Sequence, residues 1–219
     1  MIRTVLFDLD GTILDTNELI FRSFEYVWER LDRRDMNRDK LVPYMGGKLD
    51  EMFGELTGAD EAGVELMIRL YREFNLANHD ELVQAFPHVE EVLRELQRAG
   101  IRMGVVTTKI RKTSEMGLKL CKLDGYIETI VSLDDVRRPK PDPEPVLQAL
   151  EKLGAEAATT LMVGDSPGDV LSAKAAGVAT AVVGWTLKGR EEMNKYEPDY
   201  WIGDMRDLLG IAGLARDVR

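Results

Sequence analysis

The chain reads as an α/β protein: a doubly wound parallel sheet with a small helical domain inserted after the first strand. Three observations carry this expectation. A β-rich run, Thr4-Val5-Leu6-Phe7, opens the chain and ends on two carboxylates, Asp8 and Asp10. Residues 16 to 84 then carry apolar side chains at three- and four-residue spacing, with no convincing strand among them. From Phe86 onward helical stretches alternate with short β-rich runs, the pattern of a parallel sheet covered by helices.

The first strand runs out at Asp8-Leu9-Asp10-Gly11-Thr12. Asp8 and Asp10 lie two positions apart, so at the end of an extended strand both side chains converge on one small site, and Gly11 allows a sharp turn. Two anions that close repel unless a cation or a shared proton compensates. A hard divalent ion such as Mg2+ satisfies both and draws in a phosphate, whereas a pair sharing one proton points to hydrolysis without metal. An Asp-Gly hairpin is the plain alternative, but residues 13–20 move into a helical pattern instead of a return strand.

Helices are expected over 17–31, 49–57, 61–75 and 80–85 in the insertion. In the core, a helix over 89–99 stops at Gly100, and one over 170–176 stops at Gly177, each where a left-handed residue is wanted. Asp142-Pro143 and Ser166-Pro167 open helices with a capping side chain followed by proline. Strands are expected over 102–107, 129–132, 160–164, 179–184 and, weakly, 200–203. The core is thus residues 1–15 and 86–219, and a helical cap over 16–85 hangs above the carboxyl ends of the strands.

A length of 219 residues with 44% hydrophobic content suits one good core plus a small accessory domain. No apolar run reaches about 18 residues and no charged-then-apolar leader opens the chain, so neither a membrane span nor a signal peptide is expected. Cys121, the single cysteine, excludes an internal disulfide, suits a reducing cytoplasm and reads as a small apolar residue on a helix face. The net charge of -10 repels nucleic acid and anionic lipid. An anionic substrate must therefore meet a local group of cations, and Arg137, Arg138 and Lys140 are the tightest one. A monomer and a homodimer are both compatible with the sequence, an exposed Trp185 or Trp201 favouring the dimer.

Three further segments carry chemistry-bearing residues beside strand ends: Thr107-Thr108-Lys109, Arg138-Pro139-Lys140-Pro141-Asp142 and Gly164-Asp165-Ser166-Pro167-Gly168-Asp169. Taken singly, Thr107 is a β-branched strand residue, Thr108 a helix cap and Lys140 a solvated loop charge held by stiff prolines. Asp169 completes a capping arrangement with Ser166. Asp165 has no such local role; it repeats the strand-end position of Asp8, and metal ligation is its natural use. Together the four strand-end signals point to one site.

The order DLDGT, VVTT, RRPKPDP and GDSPGD resembles the haloacid dehalogenase superfamily of aspartate-dependent phosphohydrolases, along nearly the whole chain. The resemblance implies a doubly wound core with a helical cap, Asp8 as nucleophile and Asp10 as general acid and base. It implies that Thr107 and Thr108 bind the phosphoryl group, that Lys140 steadies nucleophile and phosphate, and that Asp165, with Asp8, Asp10 and Asp169, serves Mg2+. The stretches DTNELI, HDELV, TTKIRKTSEMGLKLCKLD, KPDPEPVLQAL and WTLKGR are similar to a narrower group, the pyrophosphatases of Gram-positive bacteria linked to the HPr kinase/phosphorylase system. That likeness implies pyrophosphate, released when HPr serine phosphate is phosphorolysed, as substrate. Phosphoglycolate or another small phosphate monoester is the alternative, with a sugar-phosphate mutase or a non-catalytic phosphate-binding module more remote. Asn17, Lys48, Arg111 and Lys112 are candidates for a second anionic group, and His79 and His88 read as surface or hinge residues.

Overall fold

Every residue of the run Thr4–Phe7 is buried, as a strand in the middle of a sheet covered on both faces requires. The computed structural model describes residues 1–33 and 35–214. Along the chain, β1 (Thr4–Phe7) leads to a two-residue strand β2 (Leu14–Asp15), then to helices α1 (Asn17–Arg30), α2 (Arg38–Leu41), α3 (Leu49–Thr57) and α4 (Glu61–Leu82), and to a second short strand β3 (Gln84–Ala85). Helix and strand then alternate through α5 (Val89–Arg98), β4 (Arg102–Val106), α6 (Arg111–Leu120), β5 (Thr129–Val131) and α7 (Glu144–Leu153). The alternation continues with β6 (Thr160–Gly164), α8 (Pro167–Ala175), β7 (Ala179–Val183), α9 (Arg190–Asn194), β8 (Tyr200–Ile202) and α10 (Asp207–Ile211).

The main sheet has the order β5-β4-β1-β6-β7-β8 with every pair parallel. β1 therefore lies between β4 and β6, where the winding direction reverses, and the crevice beyond the carboxyl ends at such a switch point is where ligands bind. The two-residue period sorts the side chains. Val5 and Phe7 join Met103, Val105, Leu161 and Val163 in one core against Val92, Leu93 and Leu96 of α5. Leu6 joins Val106, Val131 and Met162 in the other, against Val146, Ala149 and Leu153 of α7. Each such apolar side chain contributes about 1.5–3 kcal/mol on full burial.

The helices between β2 and β3 bury a separate cluster of their own, with Phe24 at its centre. Its ring centroid lies 4.7 Å from that of Phe53, 5.1 Å from Tyr71 and 5.7 Å from Trp28. The chain enters and leaves this layer through β2 and β3, which pair antiparallel, Leu14 with Ala85 and Asp15 with Gln84.

Several local expectations change. The helices expected over 61–75 and 80–85 are one helix, α4, because no Gly or Pro interrupts 76–79 and Met67, Tyr71, Asn75 and His79 form one buried stripe at four-residue spacing. Leu14-Asp15 and Gln84-Ala85 are short strands, because pairing between distant two-residue segments leaves no periodicity to read, while among the described residues no hairpin returns along β1: Leu14 bridges Asp10 in parallel and β2 pairs with β3. His79 is buried rather than at the surface, and its Nδ1 pairs with Asp80 Oδ1 at 2.8 Å. His88 is partly exposed in a left-handed conformation before α5. Trp185 and Trp201 are both half-buried, the first beside Phe86 and the second under Arg190. Cys121 packs half-buried against the first core. Among the described residues no helix is long and apolar enough to cross a membrane.

Gly117 shows how tightly α6 meets the crossing strands: a Cβ there would lie 2.6 Å from Leu14 Cδ1. Alanine normally gains about 1 kcal/mol over glycine within a helix. Here overpacking, typically costing about 1–3 kcal/mol, outweighs that gain. Gly117→Ala is expected to lower the urea midpoint, a net loss of about 1 kcal/mol, and an unchanged or higher midpoint would show that Leu14 yields without cost.

Candidate active site

The end of β1 is built by two glycines and the carboxylates they admit. The Asp8 amide donates to Val163 O at 2.8 Å, which continues the ladder with β6 and fixes Asp8 at the strand terminus. Gly11 has φ +78°, and its amide donates to Leu14 O at 2.8 Å, closing the turn. A Cβ on Gly11 would stand 2.4 Å from Asp165 Oδ2, so the glycine serves both the turn and the approach of Asp165. Gly164, the last residue of β6, similarly leaves room for Asp169, whose Cβ and Cγ lie 2.4 Å from where a Cβ would be.

Lys140 is not a solvated loop charge: its side chain is 3% exposed and joins three elements. Its Nζ donates to Asp8 Oδ1 at 2.8 Å, to Val106 O at 2.9 Å and to Asp169 Oδ1 at 2.5 Å. All three ammonium protons are thereby used. The other Asp169 oxygen, Oδ2, accepts from Ser166 Oγ at 2.7 Å and from the Ser166 and Asp165 amides at 3.0 and 3.2 Å. Asp169 thus caps α8 and anchors Lys140 at once.

Asp8, Asp165 and Asp169 each present a carboxylate oxygen within 4.8 Å of the others. Three carboxylates against the one ammonium of Lys140 leave an excess of two negative charges. The titration behaviour reflects burial first and that excess second. Burial pushes Asp8 up to about 7, with Asp169 and Asp10 adding to the rise and Lys140 opposing it. Burial, followed by the charges of Asp8 and Asp169, holds Asp165 well above the ordinary carboxylate range. Burial pulls Lys140 down, but Asp169 and Asp8 outweigh it and keep the ammonium charged. Among the described residues no hydrogen-bond donor reaches the Asp165 carboxylate, so this donor set fits a divalent cation in both charge and geometry.

Asp10 stands apart from this triad, held by Lys109 Nζ at 2.9 and 3.2 Å. Thr107 is buried at the end of β4, its amide donating to Val131 O and its hydroxyl accepting from the Lys109 amide at 3.1 Å. Thr108 does not cap α6; its hydroxyl donates to Gly46 O at 3.0 Å, across to the helical layer. These residues open onto a cleft of about 450 Å³ between sheet and helices, lined by Asp8, Asp10, Asp165, Thr107, Thr108 and Lys109 at its floor. Asn17, Lys48, Lys112, Arg72 and Arg137 also line it, with Ile20, Phe24, Met52, Ile68 and Tyr71 on the helical side.

The structure thus brings Asp8, Lys140, Asp165 and Asp169 into one cluster and sets Asp10, Thr107 and Thr108 beside it. The cationic triplet is dispersed: Lys140 is inside, Arg137 lines the cleft, and the exposed Arg138 pairs with Asp142 and Glu144. Arg111 is turned away, bonded to Asp135 Oδ2 at 2.6 Å and to Ile130 O at 3.0 Å. The sequence reading singled out the segment of Lys109 without giving that lysine its role on Asp10, and it passed over Lys188, which bonds Val42 O and Pro43 O. Lys109 directly follows the threonine pair, a signal of position alone, whereas nothing local to Lys188 marks its distant partners.

Lys140→Met leaves Asp8 and Asp169 buried without their cation and is expected to cost about 3–5 kcal/mol, read from urea denaturation. Asp165→Asn acts in the opposite sense in protein stripped of divalent ions. A folded-state value above the unfolded one means that the native state binds more protons, so the wild-type contribution falls as pH rises from about 4 towards neutrality. The variant is expected to melt a few degrees higher than the parent at about pH 7.5, with the gap closing near pH 4. A gap independent of pH would mean that the excess charge is already balanced.

The family model for haloacid dehalogenase-like hydrolases matches residues 5–183, a span that runs from β1 through all four strand-end segments. A pyrophosphatase PpaX of Bacillus cereus is 47% identical over 210 residues, covering 96% of this chain and 96% of its own. The pyrophosphatase PpaX of Bacillus velezensis is 45% identical over 213 residues, covering 97% of each. The solved structure of a Bacteroides fragilis protein assigned to the haloacid dehalogenase-like hydrolases superposes with a TM-score of 0.90 at 30% identity, covering 95% of this chain and 100% of that one. With buried Asp8, Lys140 and Asp169 and the partly buried Asp165 gathered inside the matched span, the chain belongs to the haloacid dehalogenase-like hydrolases.

Proposed function

We propose that the protein is a Mg2+-dependent phosphohydrolase that works through an aspartyl phosphate on Asp8 and prefers inorganic pyrophosphate. The observation that carries this reading is the buried ion pair of Lys140 with Asp8, set beside Asp10 at the floor of the cleft. Lys140 occupies Oδ1 of Asp8, which leaves Oδ2 to attack phosphorus. An Asp8 oxygen–phosphorus bond forms as the bond to the leaving oxygen breaks, and Asp10 gives that oxygen a proton. Asp10 then takes a proton from water, whose oxygen displaces phosphate from Asp8 and restores the carboxylate. Lys109 fixes where the Asp10 carboxylate points.

Thr107 and Thr108 flank the transferring group in this reading, and Lys140 offsets the charge that nucleophile and phosphate bring together. Asp165 and Asp8 would hold Mg2+, with Asp169 and Asp10 supporting them. When bound, the ion's two charges would balance the acidic excess and lessen the repulsion between carboxylate and phosphate. Residues 1–15 and those from 86 onward act as the hydrolase core and residues 16–85 as a cap that excludes water. A single cysteine fits work in a reducing cytoplasm.

Pyrophosphate is favoured because both PpaX relatives carry the name pyrophosphatase and match over 97% and 96% of this chain. HPr serine phosphate phosphorolysis is the source that the sequence resemblance implies. A small organic monoester such as phosphoglycolate is the second reading, favoured by a cleft of about 450 Å³ with apolar walls, roomier than a bare diphosphate needs.

The test is phosphate release with Mg2+ from pyrophosphate, phosphoglycolate and hexose phosphates, using Asp8→Asn as the blank. Pyrophosphate is expected to lead by at least about tenfold in kcat/KM, or about 1.4 kcal/mol. A lead for phosphoglycolate transfers the preference to the second reading and leaves the hydrolase chemistry standing. Asp10→Asn is expected to lower kcat by about 10²–10⁴-fold, and chelation of Mg2+ to abolish turnover.

A further inference from the structure

The segment 42–48 belongs to the helical layer by its packing, with Val42, Tyr44 and Met45 against the aromatic cluster. It nevertheless touches the strand-end face of the sheet at three separate places. After β4, the Thr108 hydroxyl donates to Gly46 O at 3.0 Å. After β6, Ser166 lies so close that a Cβ on Gly46 would meet its Cβ at 3.1 Å and its Oγ at 3.2 Å. After β7, Lys188 Nζ donates to Val42 O and to Pro43 O, both at 2.6 Å. Gly46 has φ +92°, a conformation that glycine adopts without penalty.

Lys188 makes the strongest of these contacts, since its donor is charged and engages two carbonyls. Its base is tied to the acidic cluster. The Lys188 amide donates to Thr186 Oγ1 at 3.1 Å, and the Thr186 hydroxyl donates to Asp165 O at 2.6 Å. A continuous path of hydrogen bonds therefore runs from the backbone of Asp165 to the carbonyls of the segment. Beyond those carbonyls, Met45, Gly46, Gly47 and Lys48 form one wall of the cleft.

We propose that Lys188 is a positioning residue that pins segment 42–48 to the strand-end face and so holds the Gly46–Lys48 wall of the cleft in its substrate-binding position. This rests on the hydrolase reading above, in which substrate lies between that wall and Asp8. Lys188 takes no part in bond making. Its loss lowers the fraction of protein with the wall in place, which weakens apparent substrate binding by that fraction and spares the chemistry at Asp8.

The experiment compares Lys188→Met and Lys188→Arg with the parent in Mg2+, measuring turnover of pyrophosphate and p-nitrophenyl phosphate together with amide hydrogen exchange. Lys188→Met is expected to raise KM by about tenfold with kcat within about threefold, and to speed exchange across 42–48 by at least about tenfold while β1 and β6 stay protected. Lys188→Arg, which keeps charged donors, is expected to recover most of both effects. Gly46→Ala wedges a methyl group against Ser166 and is expected to speed exchange in the same segment with Lys188 intact. Parental KM and parental exchange in Lys188→Met overturn the proposal, as does a fall in kcat at unchanged KM. If the parent turns over only p-nitrophenyl phosphate and the exchange and KM changes still follow, the preference for pyrophosphate fails and the pin stands.

Discussion

One buried ammonium holds the site together. Lys140 meets Asp8 from β1, the last carbonyl of β4 and Asp169 from α8, so three neighbouring elements of the sheet's carboxyl edge converge on a single atom. Burying any one of these ions alone costs several kcal/mol. Together they are tolerable because all three ammonium protons and both Asp169 oxygens have partners. The same arithmetic leaves the cluster short of positive charge, with Asp8 and Asp165 both raised by burial. The two negative charges in excess among Asp8, Asp165, Asp169 and Lys140 are what a divalent cation would balance.

The two glycines at the strand ends show how the backbone serves this electrostatics. Gly11 and Gly164 stand where the carboxyl groups of Asp165 and Asp169 come within 2.4 Å of a side chain that is not there. Carboxylates from β6 and α8 can then lie over β1 without displacing its neighbours. Packing on both faces of the sheet supplies the rigidity that keeps these approaches fixed.

Much of this was legible because it is local. Strand period, the glycine stops at Gly100 and Gly177, and the Ser166 cap all depend on neighbours within four residues, and each stands where the pattern puts it. The acidic strand ends were legible too, since Asp8 and Asp165 have no local partner to explain them. What escaped is set by contacts between distant residues. Strands of two residues, the burial of Lys140 between prolines, the turning of Arg111 toward Asp135 and the reach of Lys188 to Val42 all depend on elements brought together by the fold. Helix α4 runs on past residue 75 because its buried stripe extends to His79, the last turn packing near Gly117 instead of the aromatic cluster.

That helix has a mechanical consequence. Its 22 residues, at a rise of 1.5 Å each, make a rod of about 33 Å rooted beside the β2–β3 crossing. A tilt of about 10° at that root carries the far end through about 6 Å, while residues near His79 barely move. The cluster around Phe24 packs along the middle and outer part of the rod. The α4 residues that line the cleft, Ile68, Tyr71 and Arg72, lie along the middle of the rod, so the same tilt would shift that wall by about half as much as the far end.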